Sequence, residues 1–306
     1  VRLWVASSDY TVDVRVSDNI FKQLSETYRK FRNTARIIMA NLNDFDPDTD
    51  MVAVENMQGI DRYLLSRLNA LIATVREAYD SYQFHTVYHA LNNFCTIDMS
   101  KLYIDITKDR LYVEATASEG RRAAQTVLYE ILQTLTKMIA PILAFTSDEI
   151  WQNMPHRASD NTEHVLLNDM TLAKDEYDFA EIEAHYNKLF DLRDDVLKAL
   201  EIARTEKLIG KSLEAKVDIY AQGETKALIE SFGEDLKSVF IVSGAKVYDE
   251  SEAPQDAFAE TVSGIKGKVS VADGCKCDRC WMHSEQGKKT EDGGFLCYRC
   301  LEIVGE

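Results

Sequence analysis

Residues that interrupt a helix are scarce here. Four prolines and 13 glycines are spread over 306 residues, so breaks are few and long helices are favoured. No apolar run approaches the ~18–20 residues needed to cross a bilayer, so no membrane span is expected. No basic-then-apolar leader is visible either. Basic charge is short: 35 Lys and Arg face 51 Asp and Glu, a net charge of −16. Taken alone, that balance argues against nucleic acid, because basic patches supply most non-specific affinity. No Gly-rich phosphate loop and no strand–turn–helix nucleophile elbow occurs. His85 and His89 stand four apart without the intervening glutamate of a zincin. No catalytic residue is therefore assigned. Cysteine is rare until the end. Cys95 stands alone in a helical apolar pattern and reads as a small buried hydrophobe, while Cys275, Cys277, Cys280, Cys297 and Cys300 crowd into the last 32 residues. A secreted disulfide scaffold would spread its cysteines, so a reducing, cytoplasmic compartment and metal binding fit better.

What is present begins with those cysteines. Cys277 and Cys280 form one C-x-x-C, Cys297 and Cys300 a second, and sixteen residues separate them. That is the spacing of a structural Cys₄ zinc knuckle or ribbon. Four thiolates complete a tetrahedron and leave no position for water, so one structural Zn²⁺ would hold a shape rather than do chemistry. Such binding is worth ~10–16 kcal/mol in small finger peptides, enough to fold a module with almost no core. A redox dithiol is the other reading, although redox C-x-x-C motifs come singly at helix starts. Cys275 reads as a spare thiol; using it instead of Cys277 would give C-x₄-C. Within the knuckle, Arg279 and Trp281 sit at a metal-fixed turn. They can stack on unpaired bases, or Trp281 can pack against a neighbouring domain.

The hydrophobic content of 45% is that of a globular protein, and the length fits two or three domains. Leu24, Tyr28, Phe31, Ala35, Ile38 and Leu42 make an apolar stripe on a helix from Asp18 to about Leu42, with Ser17 as N-cap. Further helices are expected from near Asn56 to Tyr82, from Phe84 to Asp98 with a bent continuation to Lys108, from Ser118 to Met138, and from Thr146 to Asn153. Antiparallel seams of this kind pack as a bundle. After a polar connection, a helix from Tyr177 to Glu206 leads into a change of period. Leu213 to Ala221 alternates as a half-buried strand. A short helix over Thr225–Phe232, strands at Val239–Val242 and Ala245–Tyr248, and one or two more within Phe258–Val271 complete a small α+β domain. The expected division is 1–158 for the bundle, 159–272 for the α+β domain and 273–306 for the zinc module. The chain opens at Val1 inside an apolar stretch, which reads as a cut through a longer protein whose catalytic part lies elsewhere.

Net charge is a sum, whereas recognition is local. Lys22, Arg29, Lys30, Arg32 and Arg36 lie within fifteen residues that hold one acid, Glu26. Arg29, Arg32 and Arg36 follow helical spacing next to the apolar stripe, a row along which a phosphate backbone can lie. The alternative is a solvated face with intrahelical pairs such as Glu26 with Lys30. Arg121 and Arg122, at the start of a later helix, suit either reading.

The motifs together resemble a known family. VRLWVASSDYTVDVRV at the start, YRKFRNTAR, LNDFDP, KDRLY, RRAAQTVLY, APILAFTSDEIW, IGKSLEA and the closing CDRCW…LCYRC are similar, in order and over nearly the whole chain, to the C-terminal part of bacterial isoleucyl-tRNA synthetases, class Ia aminoacyl-tRNA synthetases. The resemblance implies a mainly α fold: an anticodon-binding helical bundle, a small α+β domain and a C-terminal Cys₄ zinc module. It implies isoleucine tRNA as partner, read by Arg279 and Trp281, with Arg29, Arg32 and Arg36 on stem phosphates and Lys207 and Lys211 as further contacts. The family's H-x-G-H and K-M-S-K-S signatures are missing; Met99-Ser100-Lys101 lacks the leading lysine and lies in a helical stretch. ATP would belong to the absent catalytic domain, and editing to another absent domain of the same polypeptide, which is expected to be a monomer. The remaining alternatives are the equivalent region of another class Ia synthetase and a zinc-stabilised protein-interaction scaffold.

Overall fold

The computed structural model describes residues 1–259, 263–291 and 293–305. The chain divides into two compact units. The first comprises Val1–Asp105 and Thr116–Glu183, the second Ile106–Ala115 and Ala184–Glu306.

The first unit is helical, as the apolar seams predict. Helix α1 (Arg2–Ser7) precedes α2 (Asp18–Asn41), whose N-cap is Ser17: its hydroxyl accepts the Ile20 N–H at 3.3 Å. Leu24, Phe31, Ala35 and Ile38 turn inward. Helix α3 (Gly59–Asp80) starts where the Asp61 carboxylate takes the Gln58 N–H at 3.2 Å. The next helix runs on past the expected bend. Helix α4 (Phe84–Asn93) passes into a π-helical stretch, Phe94–Tyr103, and then into α5 (Ile104–Val113). No glycine or proline lies in that span, so no residue type forces a break. The wide turn carries Asp98, a buried carboxylate that accepts from Arg67 Nε of α3 at 2.9 Å. Arg67 also donates to Glu183 at 3.1 Å. Helix α6 (Glu119–Ile139), capped by Ser118, buries Ala124, Val127, Leu128, Ile131 and Leu132 along with polar Gln125 and Glu130. Glu130 is paired rather than stranded: Arg157 donates at 2.7 Å and Lys174 at 3.1 Å. Helix α7 (Ala144–Trp151) buries Ile150 and Trp151.

In the second unit, α8 (Ala180–Thr205) supplies Leu189, Leu192, Val196 and Leu200 to the core. The expected change of period follows. Strand β1 (Ala215–Ala221) buries Ala215, Val217 and Ile219 and lies at the centre of a three-stranded sheet ordered β2-β1-β3. It pairs parallel with β2 (Gly244–Asp249) and antiparallel with β3 (Lys266–Val271); Val217 faces Ala245 on one side and Val269 on the other. A parallel pair needs a crossover, and α9 (Gly223–Ser231) with α10 (Asp235–Phe240) supplies it.

Here one expectation fails. Val239–Val242 is not a strand: Val239 and Phe240 close α10, Ile241 turns left-handed with φ 57°, and the Val242 N–H returns to the Lys237 carbonyl at 3.0 Å. Val239, Phe240 and Val242 are all buried, and a short, wholly buried apolar run looks the same in a helix end as in a strand. In the Phe258–Val271 region, β3 and a bridge from Phe258 to Gly267 are present, whereas residues 260–262 lie outside the described residues.

The last segment makes two small hairpin ladders, β4 (Cys275–Lys276) with β5 (His283–Ser284) and β6 (Gly287–Lys289) with β7 (Phe295–Cys297), then α11 (Tyr298–Val304). Gly274 enters the first ladder at φ +86°, where a Cβ would also strike the Ser284 carbonyl.

Candidate metal centre and RNA-binding residues

Each C-x-x-C turn points two sulfurs at one spot. The ligand atoms of Cys277, Cys280, Cys297 and Cys300 lie within 4.8 Å of one another, and all four residues are buried. Tetrahedral metal–sulfur bonds of about 2.3 Å place neighbouring sulfurs roughly 3.8 Å apart. Cys280 and Cys297 Sγ stand at 3.8 Å, so the cluster is shaped for a four-coordinate cation. The surrounding donors suit thiolates. Cys297 N–H points at Cys277 Sγ at 3.4 Å, and Arg279 Nη1 lies 3.7 Å from Cys300 Sγ. Burial opposes charge on Cys277, but the backbone N–H groups of Cys280, Cys297 and Arg279 outweigh it and bring that thiol down to about 6. Burial pushes Cys280 and Cys300 up instead. Four thiolates so close need a cation between them, and these residues could hold one. Cys275 is exposed and outside the cluster.

The module's own core is thin. Around the cysteines pack Val113 of α5 and the partly buried Met282, Phe295 and Leu296. Arg299, between the last two cysteines, donates through both Nη atoms to the Asp109 carboxylate of α5. His283 N–H donates to Ser243 Oγ at 2.8 Å, which ties β5 to the start of β2. None of these anchors is visible in the motif spacing.

Trp281 leaves the knuckle at φ +65° and is 54% exposed, so it does not pack against a neighbouring domain of the described residues. Two ammonium groups approach its ring: Lys211 Nζ at 5.0 Å and Lys276 Nζ at 5.9 Å from the centroid. Lys211 belongs to a fixed turn. The Glu214 carboxylate accepts from the Gly210 N–H at 2.7 Å and the Lys211 N–H at 3.3 Å, which draws its own pKa down. The structure thus brings two residues read separately, Lys211 and Trp281, to one surface. It adds Lys276, whose only sequence signal is a lysine next to the first ligand. Arg279 is drawn toward Cys300 Sγ, so its guanidinium faces the cysteine cluster. Lys207 makes no contact with this ring.

The arginine row belongs to the first unit. Arg29, Arg32 and Arg36 are exposed on α2. At 100° per residue they stand roughly 150° round the helix from the buried set, on the far side rather than next to it. Glu26 pairs with Arg29, not with Lys30, and Arg32 donates to Glu149 at 3.2 Å. Among the described residues Arg36 makes no ion pair. Arg121 and Arg122 are engaged differently: both donate to Asp44, whose carboxyl the Arg121 hydrogen bonds hold near 2. That pair fastens the loop after α2 to α6.

Residues 61–219, more than half of the chain, match the family described as the anticodon-binding domain of tRNA ligase. This chain belongs to that family. Along its whole length it is 49% identical to the isoleucine–tRNA ligase of Caldanaerobacter subterraneus and 48% identical to those of Geobacillus thermodenitrificans and Bacillus cereus. It spans about a third, 33%, of the length of these curated relatives. The family member described here therefore carries the fold and the C-terminal cysteine cluster that its motifs led one to expect, and aligns with part of a longer polypeptide in those relatives.

Proposed function

We propose that this chain is the tRNA-recognition region of an isoleucine–tRNA ligase. The observation that carries this reading is the surface around Trp281: an exposed indole on a cysteine-fixed turn, with Lys211 and Lys276 beside it. A nucleotide joins a flat base to an anionic phosphate, and this surface offers a partner for each. Anticodon bases are splayed from their loop and can be read by stacking, which contributes ~1–3 kcal/mol per base. Arg29, Arg32 and Arg36 would lie along stem phosphates and set register rather than sequence. Arg279 would act chiefly on the cysteine cluster, with any base contact secondary.

The metal is proposed as zinc, held by Cys277, Cys280, Cys297 and Cys300. An all-thiolate tetrahedral set suits zinc, which would fix the knuckle and so the indole's position. The parent polypeptide would attach isoleucine to its tRNA at the expense of ATP, with catalysis and editing in the portion of the relatives outside this match. It would work in the cytoplasm as a monomer; no described helix is long and apolar enough to cross a membrane.

The test is titration of the chain with an isoleucine anticodon stem-loop and with the same stem carrying another loop. Preferential binding of the first, lost in Trp281→Ala, is expected. Equal binding of both would reject anticodon recognition, and isoleucine-dependent ATP–pyrophosphate exchange by this chain alone would reject the assignment of catalysis elsewhere.

A further inference from the structure

Phe145 opens α7 and is 94% exposed. The buried residues of that helix, Ser147, Ile150 and Trp151, face the other way, so the phenyl ring is not part of the core. Two contacts fix what lies beside it. The hydroxyls of Tyr28 and Thr146 meet at 3.1 Å, and Glu149 accepts from Arg32 Nη2 at 3.2 Å. Phe145 and Glu149 are four residues apart on one face, about 6 Å between side-chain origins. The ring therefore stands next to the row Arg29, Arg32 and Arg36.

This mixture selects its occupant. A protein surface covering the ring would bury these guanidinium groups; Glu26 and Glu149 already answer Arg29 and Arg32, but Arg36 would need a carboxylate from the partner. A nucleotide puts an apolar face on the ring while its phosphates meet the arginines. The Arg32–Glu149 pair does not oppose this, because both side chains are more than half exposed and such pairs contribute little. Arg32 can exchange a carboxylate for a phosphate.

We propose that Phe145 is a second base-stacking platform, for an unpaired nucleotide adjoining the stem whose phosphates follow Arg29, Arg32 and Arg36. The proposal rests on the tRNA reading above and assigns to the first unit a base contact separate from Trp281.

Phe145→Leu and Phe145→Tyr in the 306-residue chain, titrated with isoleucine tRNA over a range of salt, provide the test. Phe145→Leu should weaken binding about fivefold or more, and Phe145→Tyr should stay within about twofold of the parent. The salt slope should not move in either, since stacking releases no counterions, whereas Arg32→Gln should lower it. Unchanged affinity in Phe145→Leu, in a chain that still binds tRNA with steep salt dependence, overturns the stacking site and leaves the tRNA reading intact. No tRNA binding by the parent chain removes both. Melting temperature should be the same in all three; a drop in Phe145→Leu would assign the ring to the fold and equally overturn the proposal.

Discussion

Trp281 holds a backbone conformation that glycine would hold more easily. Its φ is +65°, and the left-handed region costs an ordinary residue about 1–2 kcal/mol. The knuckle demands that turn: Trp281 N–H donates to the Cys277 carbonyl and Cys277 N–H to the Met282 carbonyl, both at 2.9 Å. The fold thus needs the turn, and the indole, 54% exposed, adds little to its packing. Trp281→Gly should keep the metal-loaded fold at equal stability, or about 1 kcal/mol higher, and weaken tRNA binding about fivefold or more. Melting curves and titrations on the same preparation check both parts; a destabilised variant would show that the indole is structural. Asp44 offers a test of another kind. Hydrogen bonds from Arg121, and then from Gln125, hold its carboxyl near 2 against an ordinary 3.8. A folded pKa below the unfolded one means stability fully present above about pH 4 and lost as pH falls toward 2. The melting gap between the parent and Asp44→Asn should therefore be constant near neutrality and close over that acid window. A gap indifferent to pH would mean that the Asp44–Arg121 pair contributes nothing to stability.

Among the elements, legibility followed the physics of periodicity. The stripe from Leu24 to Ile38 and the cap at Ser17 were readable because α2 has one buried face and a local end signal. The end of α10 carries no such signal, because Val239, Phe240 and Val242 are all buried and show no period that separates helix from strand. The cysteine ligands were readable from spacing, since two tight turns define a tetrahedron. Lys276 beside Trp281, the Arg299–Asp109 pair and the direction of Arg279 were not, because each depends on how distant segments meet. That thin module makes a prediction at this scale. Its buried residues are four cysteines and Leu301, with Val113 of α5 and the partly buried Met282, Phe295 and Leu296 against the cysteines. Without metal, too little apolar surface remains to hold it. Chelation should unfold residues 275–304, seen as rapid amide exchange there and a changed Trp281 signal, while β1 and β2 stay protected. Asp109→Asn should speed metal loss to the chelator by removing a contact worth about 1 kcal/mol. Persistence of protected β6 and β7 after complete metal removal would refute a metal-dependent module.

For the whole molecule, the instructive conflict is between a net charge of −16 and the polyanionic partner proposed for it. Long-range charge disfavours encounter, and the effect is screened beyond about 8–10 Å at physiological salt. Binding must then come from local clusters whose acids are already engaged elsewhere. Several acidic side chains are so engaged: Asp44 with Arg121 and Arg122, Glu130 with Arg157 and Lys174, Asp98 and Glu183 with Arg67. The cations facing solvent include Arg36 together with Arg29 and Arg32, whose pairs with Glu26 and Glu149 are exposed and weak, in one unit and Lys211 and Lys276 in the other. Two opposing salt effects follow. Screening relieves repulsion from the overall charge, whereas counterion release at each phosphate contact weakens binding by a slope of about 0.7–0.9 in log K per log salt. The arginine row should dominate, so affinity should fall with salt despite the acidic balance. Each Arg→Gln change at 29, 32 or 36 should reduce the slope by about 0.7–0.9. Lys211→Gln should do the same, and Trp281→Gly should shift affinity with no change of slope. A titration series over salt for these variants measures all of it. Affinity that rises with salt in the parent chain would show that net repulsion governs, and that the exposed arginines do not touch phosphate.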